Sequence, residues 1–363
     1  MKKLILVKII LWSCLSLGFN LVHASEDFIL KKPMKVAMLY LSPRNDGGWT
    51  QSFDEARIKL EKDFNTKIQY VESVPETASA IRPTVQRLIQ RGANVIVGTA
   101  FGYSDTFKEL SEEYPDVAFL NASGTTNSKN LLSFYGRTYE SQYLCGMAAG
   151  AASKSGKLGF VAANPFGVVN WTINAYELGA KKINPDATLT VIYTGTWNDP
   201  TKERAATQAL IDQGADVIGQ HVDTPTPQIV AQENGVKGTG HHRDFSEFAP
   251  QATICSSVWI WEQFLSVQLK KLETQTWESS PYGSLLSIAE GGTDIALSGN
   301  GISDANRKKI MDARAAIIEG SLKVYAGPII DKSGIVHVQE GSDITDADLW
   351  TMDWFVEGVI TQQ

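Results

Sequence analysis

Aromatic and acidic side chains recur in this chain just beyond short apolar runs. Asn45-Asp46-Gly47-Gly48-Trp49-Thr50 follows the run Lys35–Ser42, and Phe101-Gly102-Tyr103 follows Asn94–Ala100. Gly195-Thr196-Trp197-Asn198-Asp199-Pro200 follows Leu189–Thr194, and His221-Val222-Asp223 follows Val217–Gly219. The two glycines of the first stretch let backbone approach a ligand closely. An isolated Trp such as Trp49 is more often a packing residue, but core positions lie within strands rather than beyond their ends. Rings at several strand ends suit a flat aromatic ligand held between them, with a carboxylate accepting its N–H groups. Stacking of that kind contributes about 0.5–1.5 kcal/mol beyond burial. Asp223 is the orienting carboxylate on this reading; its alternative role is N-cap of the helix after Pro225. Asn164-Pro165-Phe166 with Asn170-Trp171 is a further strand-end set that could lie over the ligand or at its rim.

Catalytic and metal chemistry find little support. No Gly-x-Ser-x-Gly elbow is present, and neither Cys145 nor Cys255 sits in a nucleophile signature. His221, Asp223 and His241-His242-Arg243-Asp244 invite a zinc reading, but their spacing fits no compact motif. Gly238-Thr239-Gly240 lacks the rest of a phosphate-binding glycine pattern. The expectation is no metal and no cofactor.

These loops need a scaffold, and an internal echo supplies one. Leu-Ile-x-x-Gly-Ala-Asn/Asp-Val-Ile occurs at Leu88–Ile96 and again at Leu210–Ile218. Each copy reads as a helix end, a Gly turn and a buried parallel strand. Strand and helix patterns alternate along the chain, which predicts parallel sheets with helices on both faces. The predicted fold is α/β, with two Rossmann-like lobes joined by a multi-crossover hinge. Ligands in such sheets sit beyond the carboxyl ends of the strands. One lobe is expected from 25–140 with returns from 262–363, the other from 141–261. Tyr139–Ser153, dense in Gly and Ala, marks the passage between them. Leu285–Ala289 and Ile295–Leu297 read as a hairpin, Ser303–Glu319 as a helix capped by Ser303, and Trp350, Trp354 and Phe355 as a tail packed on a lobe.

The 363 residues suffice for two domains, and 43% hydrophobic with 20% charged residues describes an ordinary globular protein. The net charge is −7, and three of the cations, Lys2, Lys3 and Lys8, lie in the first 24 residues. An acidic body argues against a nucleic-acid partner. Residues 1–24 read as a secretory leader, with Lys2-Lys3, the apolar Leu4–Phe19 and a small-residue site at Val22-His23-Ala24. This predicts a periplasmic protein; a membrane anchor and a lipoprotein modified at Cys14 are the alternatives. Cys145 and Cys255 remain either as one disulfide or as two buried thiols.

With Ser257-Val258-Trp259-Ile260-Trp261, Ala326-Gly327-Pro328 and Met352-Asp353-Trp354-Phe355-Val356-Glu357-Gly358, the strand-end motifs resemble the basic membrane protein family of periplasmic binding proteins. The sequence is similar to the purine nucleoside receptors of ABC importers across essentially the whole mature chain. The resemblance implies a type I periplasmic binding protein fold and a hinge of three crossovers. It implies that Trp49 and Trp197 sandwich a purine base or nucleoside, that Asp46 and Asp223 are polar contacts, and that an ABC permease is the membrane partner of a monomeric receptor. Where nucleoside receptors keep an acidic residue for the ribose, this chain has His242, which favours a free base. Gly48, Phe101, Asn121 and Trp171 complete the expected ligand set. A secreted nucleoside-processing enzyme and a sensory ligand-binding module are the competing classes.

Overall fold

The computed structural model describes residues 28–298 and 300–362. The expected leader at 1–24, with Cys14, lies outside them.

The first half runs β1 (Val36–Leu39), α1 (Trp49–Asp63), β2 (Gln69–Val71), α2 (Ala78–Gln90), β3 (Val95–Gly98), α3 (Ser104–Glu113), β4 (Ala118–Ala122) and β5 (Leu131–Gly136). The second runs α4 (Thr138–Ala152), β6 (Lys157–Ala162), α5 (Gly167–Ile183), β7 (Thr188–Tyr193), α6 (Pro200–Asp212), β8 (Val217–His221), α7 (Thr226–Glu233), β9 (Lys237–His242) and β10 (Thr253–Trp259). After these come α8 (Trp261–Thr274), β11 (Ser284–Leu286), β12 (Thr293–Leu297), α9 (Asp304–Ile318), β13 (Ile329–Ile330), β14 (Val336–Val338), α10 (Asp346–Trp350) and β15 (Val359–Gln362).

The two sheets share one strand order. The first is β2-β1-β3-β4-β5-β11 and the second β15-β7-β6-β8-β9-β10-β12, so the five strands of each half repeat the same permutation. The sequence echo explains the match. α2 ends at a turn where Gly92 has φ +93°, and α6 ends where Gly214 has φ +95°. At both, the next amide bonds back into the helix, Ala93 N–H to Leu88 O and Ala215 N–H to Leu210 O. Glycine tolerates this left-handed geometry, and each turn delivers a strand to the point where the strand order reverses.

Three segments carry the chain between lobes: Arg137 between β5 and α4, Ile260 between β10 and α8, and the stretch 287–292 between β11 and β12. The small residues of α4 serve close helix packing. A Cβ at Gly146 would fall 2.0 Å from Tyr176 O, and one at Gly179 of α5 would fall 1.9 Å from Tyr143 O. Cys145 and Cys255 are free, buried thiols, with Sγ atoms 3.2 Å apart.

Two expectations are corrected. β11 and β12 do not form a hairpin: β11 runs parallel to β5 in the first sheet, while β12 runs antiparallel to β10 in the second. The stretch 262–363 does not all return to the first lobe, because β12 and β15 are edge strands of the second sheet. Edge pairing is a long-range choice, and short strands carry no local signal of it. The tail packs as expected: Trp350 meets the Trp171 ring at 5.3 Å, and Asn174 donates to Trp354 O.

Candidate functional site

The carboxyl ends of the strands in both sheets face one cavity between the lobes. Trp49, Phe101, Trp197, Asp223 and His242 line it together. Two of these come from the first lobe and three from the second.

Trp49 opens α1 and is held from several sides. Its Nε1–H donates to Thr99 O at 2.7 Å, just past β3. Phe53, Trp259 and Trp261 meet its ring edge-on at 5.1–5.7 Å. The indole is buried apart from the cavity side, with 6% exposure. Trp197 is held more lightly, on the loop after β7. Its carbonyl accepts from the Asp223 N–H at 2.8 Å, and its ring packs on Phe166 at 6.0 Å and His221 at 6.1 Å. Phe101 stands at the mouth. It stacks on Phe166 of the opposite lobe at 5.7 Å, with the planes 16° apart.

Asp223 is not a helix cap: α7 begins at Thr226, its N-cap position is Pro225, and no side chain caps it. Its carboxyl is buried beside His242, with Oδ1 3.3 Å from Nε2. Burial raises its pKa well above the ordinary carboxylate range, and the negative charges of Asp46, Glu203 and Glu76 add to the rise. Burial drives the His221 imidazole down to about 3. Burial, then His221, lowers His242 well below its usual value. The site therefore presents neutral imidazoles and the carboxyl groups of Asp223 and Glu76 to whatever enters.

The other expected residues are placed differently. Asp46 does not line the cavity. Its carboxylate accepts from the backbone N–H groups of Gly48, Thr50 and Gln51 at 2.9–3.0 Å, so it is committed to the start of α1. Gly48 sits at the lobe interface, where a Cβ would fall 1.8 Å from Asp223 O. Asn121, next to last in β4, is buried and does not line the cavity, and neither polar atom of its side chain has a partner among the described residues. Trp171 is fully buried in α5. Its Nε1–H donates to Thr138 Oγ1 at 3.0 Å and its ring packs on Tyr135 and Tyr139, so it belongs to the hinge region. The Asp46 and Trp171 contacts differ for one reason: each polar group finds a protein partner first.

Sequence reasoning missed Tyr135 and Glu76, which also line the cavity. Tyr135 lies near the end of β5, so the strand-end rule that found Phe101 could have found it. Beside the cavity, Arg243 after β9 reaches Glu55 of α1 with N–O distances of 2.5 and 3.2 Å, tying the lobes together. Among the described residues, no group of three His, Cys, Asp or Glu side chains has metal-binding geometry. The arrangement brings aromatic rings and buried polar groups from both lobes to one cavity.

Residues 34–327 match a family model described as ABC transporter substrate-binding protein, PnrA-like. A purine-binding protein of Brucella abortus is 33% identical over 347 residues, spanning 94% of this chain and 96% of that relative. A protein of Haloferax volcanii, whose name assigns it to glucose binding in an ABC transporter, is 32% identical over 295 residues, spanning 81% of this chain and 74% of its own. Among solved structures, a transcriptional activator of the comK gene from Bacillus halodurans aligns with a TM-score of 0.70 at 21% identity, over 79% of this chain and 99% of that one. A solute-binding protein from Aeropyrum pernix aligns with a TM-score of 0.70 at 16% identity, over 80% and 93%. At such identities the structural matches speak for the fold alone, that of type I periplasmic binding proteins.

Proposed function

The chain belongs to the Bmp family of PnrA-like ABC transporter substrate-binding proteins, and from that premise we propose that it binds a purine, as the free base, in the cavity between its lobes. Family members bind a small solute without chemistry and work with a membrane ABC permease. The purine reading rests on one observation: indoles from opposite lobes, Trp49 and Trp197, line the same cavity as Asp223 and His242. A planar base placed there gains stacking worth about 0.5–1.5 kcal/mol per ring beyond burial. Its N–H groups meet Asp223. The free base is favoured over the nucleoside because the end of β9 holds the neutral His242 where a ribose-binding carboxylate would stand.

The name of the Brucella relative supports this reading, and that of the Haloferax relative makes a hexose the ligand to test against it. Binding from the periplasm follows if residues 1–24 act as a leader. Closure of the lobes is driven by the ligand's higher affinity for the closed state, and a single chain completes the site. A thermal-shift panel of adenine, guanine, hypoxanthine, xanthine, their nucleosides and glucose tests the proposal. A rise in Tm with one or more bases supports it, and a rise with glucose alone sinks it. Release of free base from inosine or adenosine at catalytic rates would point to an enzyme instead.

A further inference from the structure

At the end of β10, the Trp259 indole nitrogen lies 2.9 Å from Nδ1 of His242. An indole N–H can only donate. Nδ1 must therefore accept, and a neutral imidazole then carries its proton on Nε2. Burial keeps His242 neutral. The Nε2 atom has no aligned hydrogen-bond partner among the described residues. It is 3.3 Å from Asp223 Oδ1, close enough for attraction but not aligned as a hydrogen bond. His242 and Asp223 both line the cavity. Trp259 is itself fixed by its neighbours: it stacks on Trp261 at 4.2 Å with planes 19° apart, and Trp49 meets it edge-on at 5.7 Å.

We propose that Trp259 is a positioning residue that locks His242 in the tautomer presenting an N–H to the cavity, so that the site selects a planar nitrogen heterocycle offering an acceptor to His242 beside an N–H for Asp223. The ligand clause rests on the purine reading above. A ring nitrogen next to an exocyclic amine satisfies both groups, and so does a ring N–H next to a carbonyl. A heterocycle bearing acceptors alone would leave the Asp223 carboxylate, the form a ligand N–H selects, without a donor, and buried sites reject such analogues strongly. Asp223 and His242 thus act as a matched pair, and the direction of that match is set from outside the cavity by an indole that does not line it.

The test pairs a spectrum recorded without ligand with an affinity measurement. Histidine labelled with ¹⁵N reports which imidazole nitrogen carries the proton, and the His242→Leu variant assigns the signal among the five histidines. The wild-type protein is expected to show His242 protonated on Nε2. Trp259→Phe keeps a flat ring against Trp261 but removes the N–H. It is expected to release the tautomer preference and to weaken hypoxanthine and adenine binding about tenfold. A wild-type spectrum with the proton on Nδ1 overturns the proposal, as does a Trp259→Phe protein with unchanged tautomer and unchanged affinity. If Trp259→Phe fails to fold, the wild-type spectrum still decides the tautomer. His242→Leu then carries the affinity arm, and unchanged binding there overturns the role of the donor. An Nε2–H spectrum in a protein that binds no purine leaves the lock in place and overturns the ligand clause together with the purine reading.

Discussion

Gly48 provides the most direct probe of lobe closure, because one methyl group there meets backbone that cannot turn aside. A Cβ at this position would fall 1.8 Å from Asp223 O, 2.8 Å from Asp223 C and 3.4 Å from His242 Cδ2. All three atoms belong to the opposite lobe, and two are main chain. Ordinary contact begins near 3.4 Å, so in Gly48→Ala the lobes must part by about 1.6 Å at this point. The parting falls at Asp223 and His242, beside the cavity they share with Trp49. Displacements of about 1 Å can cost on the order of a hundredfold where geometry is tight. We therefore expect Gly48→Ala to weaken purine binding on the order of a hundredfold, about 2.7 kcal/mol. The added methyl faces the other lobe rather than its own core, so the unliganded variant should melt within a few degrees of wild type. Calorimetric titration measures the first effect and thermal unfolding without ligand the second. Binding within threefold of wild type would refute the idea that ligand is held in the closed arrangement.

The two indoles should separate in their effects. Trp49→Ala removes a buried ring and the donor to Thr99 O, so it should cost about 3–5 kcal/mol of stability as well as binding. Trp197→Ala, on a partly exposed loop, should leave Tm nearly unchanged and weaken binding about tenfold or more; a normal ligand response in Trp197→Ala would remove the sandwich. Proton uptake supplies a third check. Asp223 has a raised pKa in the free protein, and a ligand N–H bonded to its carboxylate lowers it. Binding should then release protons, and affinity should be full above the free-protein pKa and fall as pH drops through it. Titrations in two buffers of different ionisation heat would reveal the release, and identical apparent enthalpies in both would contradict it. Glu177 tests stability alone. It is buried with both oxygens unpaired among the described residues, and burial raises it from 4.5 to about 8. A raised folded-state value gives stability that is complete below the unfolded pKa and lost as pH rises through about 8. Glu177→Gln should accordingly raise Tm more at pH 8 than at pH 5, and an equal gain at both would count against the shift.

The duplicated architecture was legible because its signal is local. A glycine that must turn left-handed after a helix, followed by Ala and an apolar run, specifies the same helix–turn–strand unit at Gly92 and at Gly214. Strand-end aromatics were legible for a similar reason, since Trp49, Phe101 and Trp197 follow runs long enough to read. What the sequence hid depends on distant partners. Asp46 and Asp223 both follow strands, but only Asp46 has helix-start amides within reach, and the Asp-x-Gly-x-Thr-Gln spacing could have marked it as a cap. Trp171 fits a helical pattern whichever way its indole points, and its acceptor Thr138 lies in another helix. The Trp259–His242 contact arises because β9 and β10 pair with His242 opposite Val258, a register no single segment specifies. The same holds for β11 and β12, which sit close in sequence yet edge different sheets.

The central claim is that a free purine base is gripped between Trp49 and Trp197, and a crystal structure of the protein grown with hypoxanthine or adenine tests it most directly. The expected result is a planar ring between the two indoles, with an N–H directed at Asp223 and an acceptor at His242 Nε2. A base found elsewhere, or a cavity filled only when glucose is supplied, would contradict it.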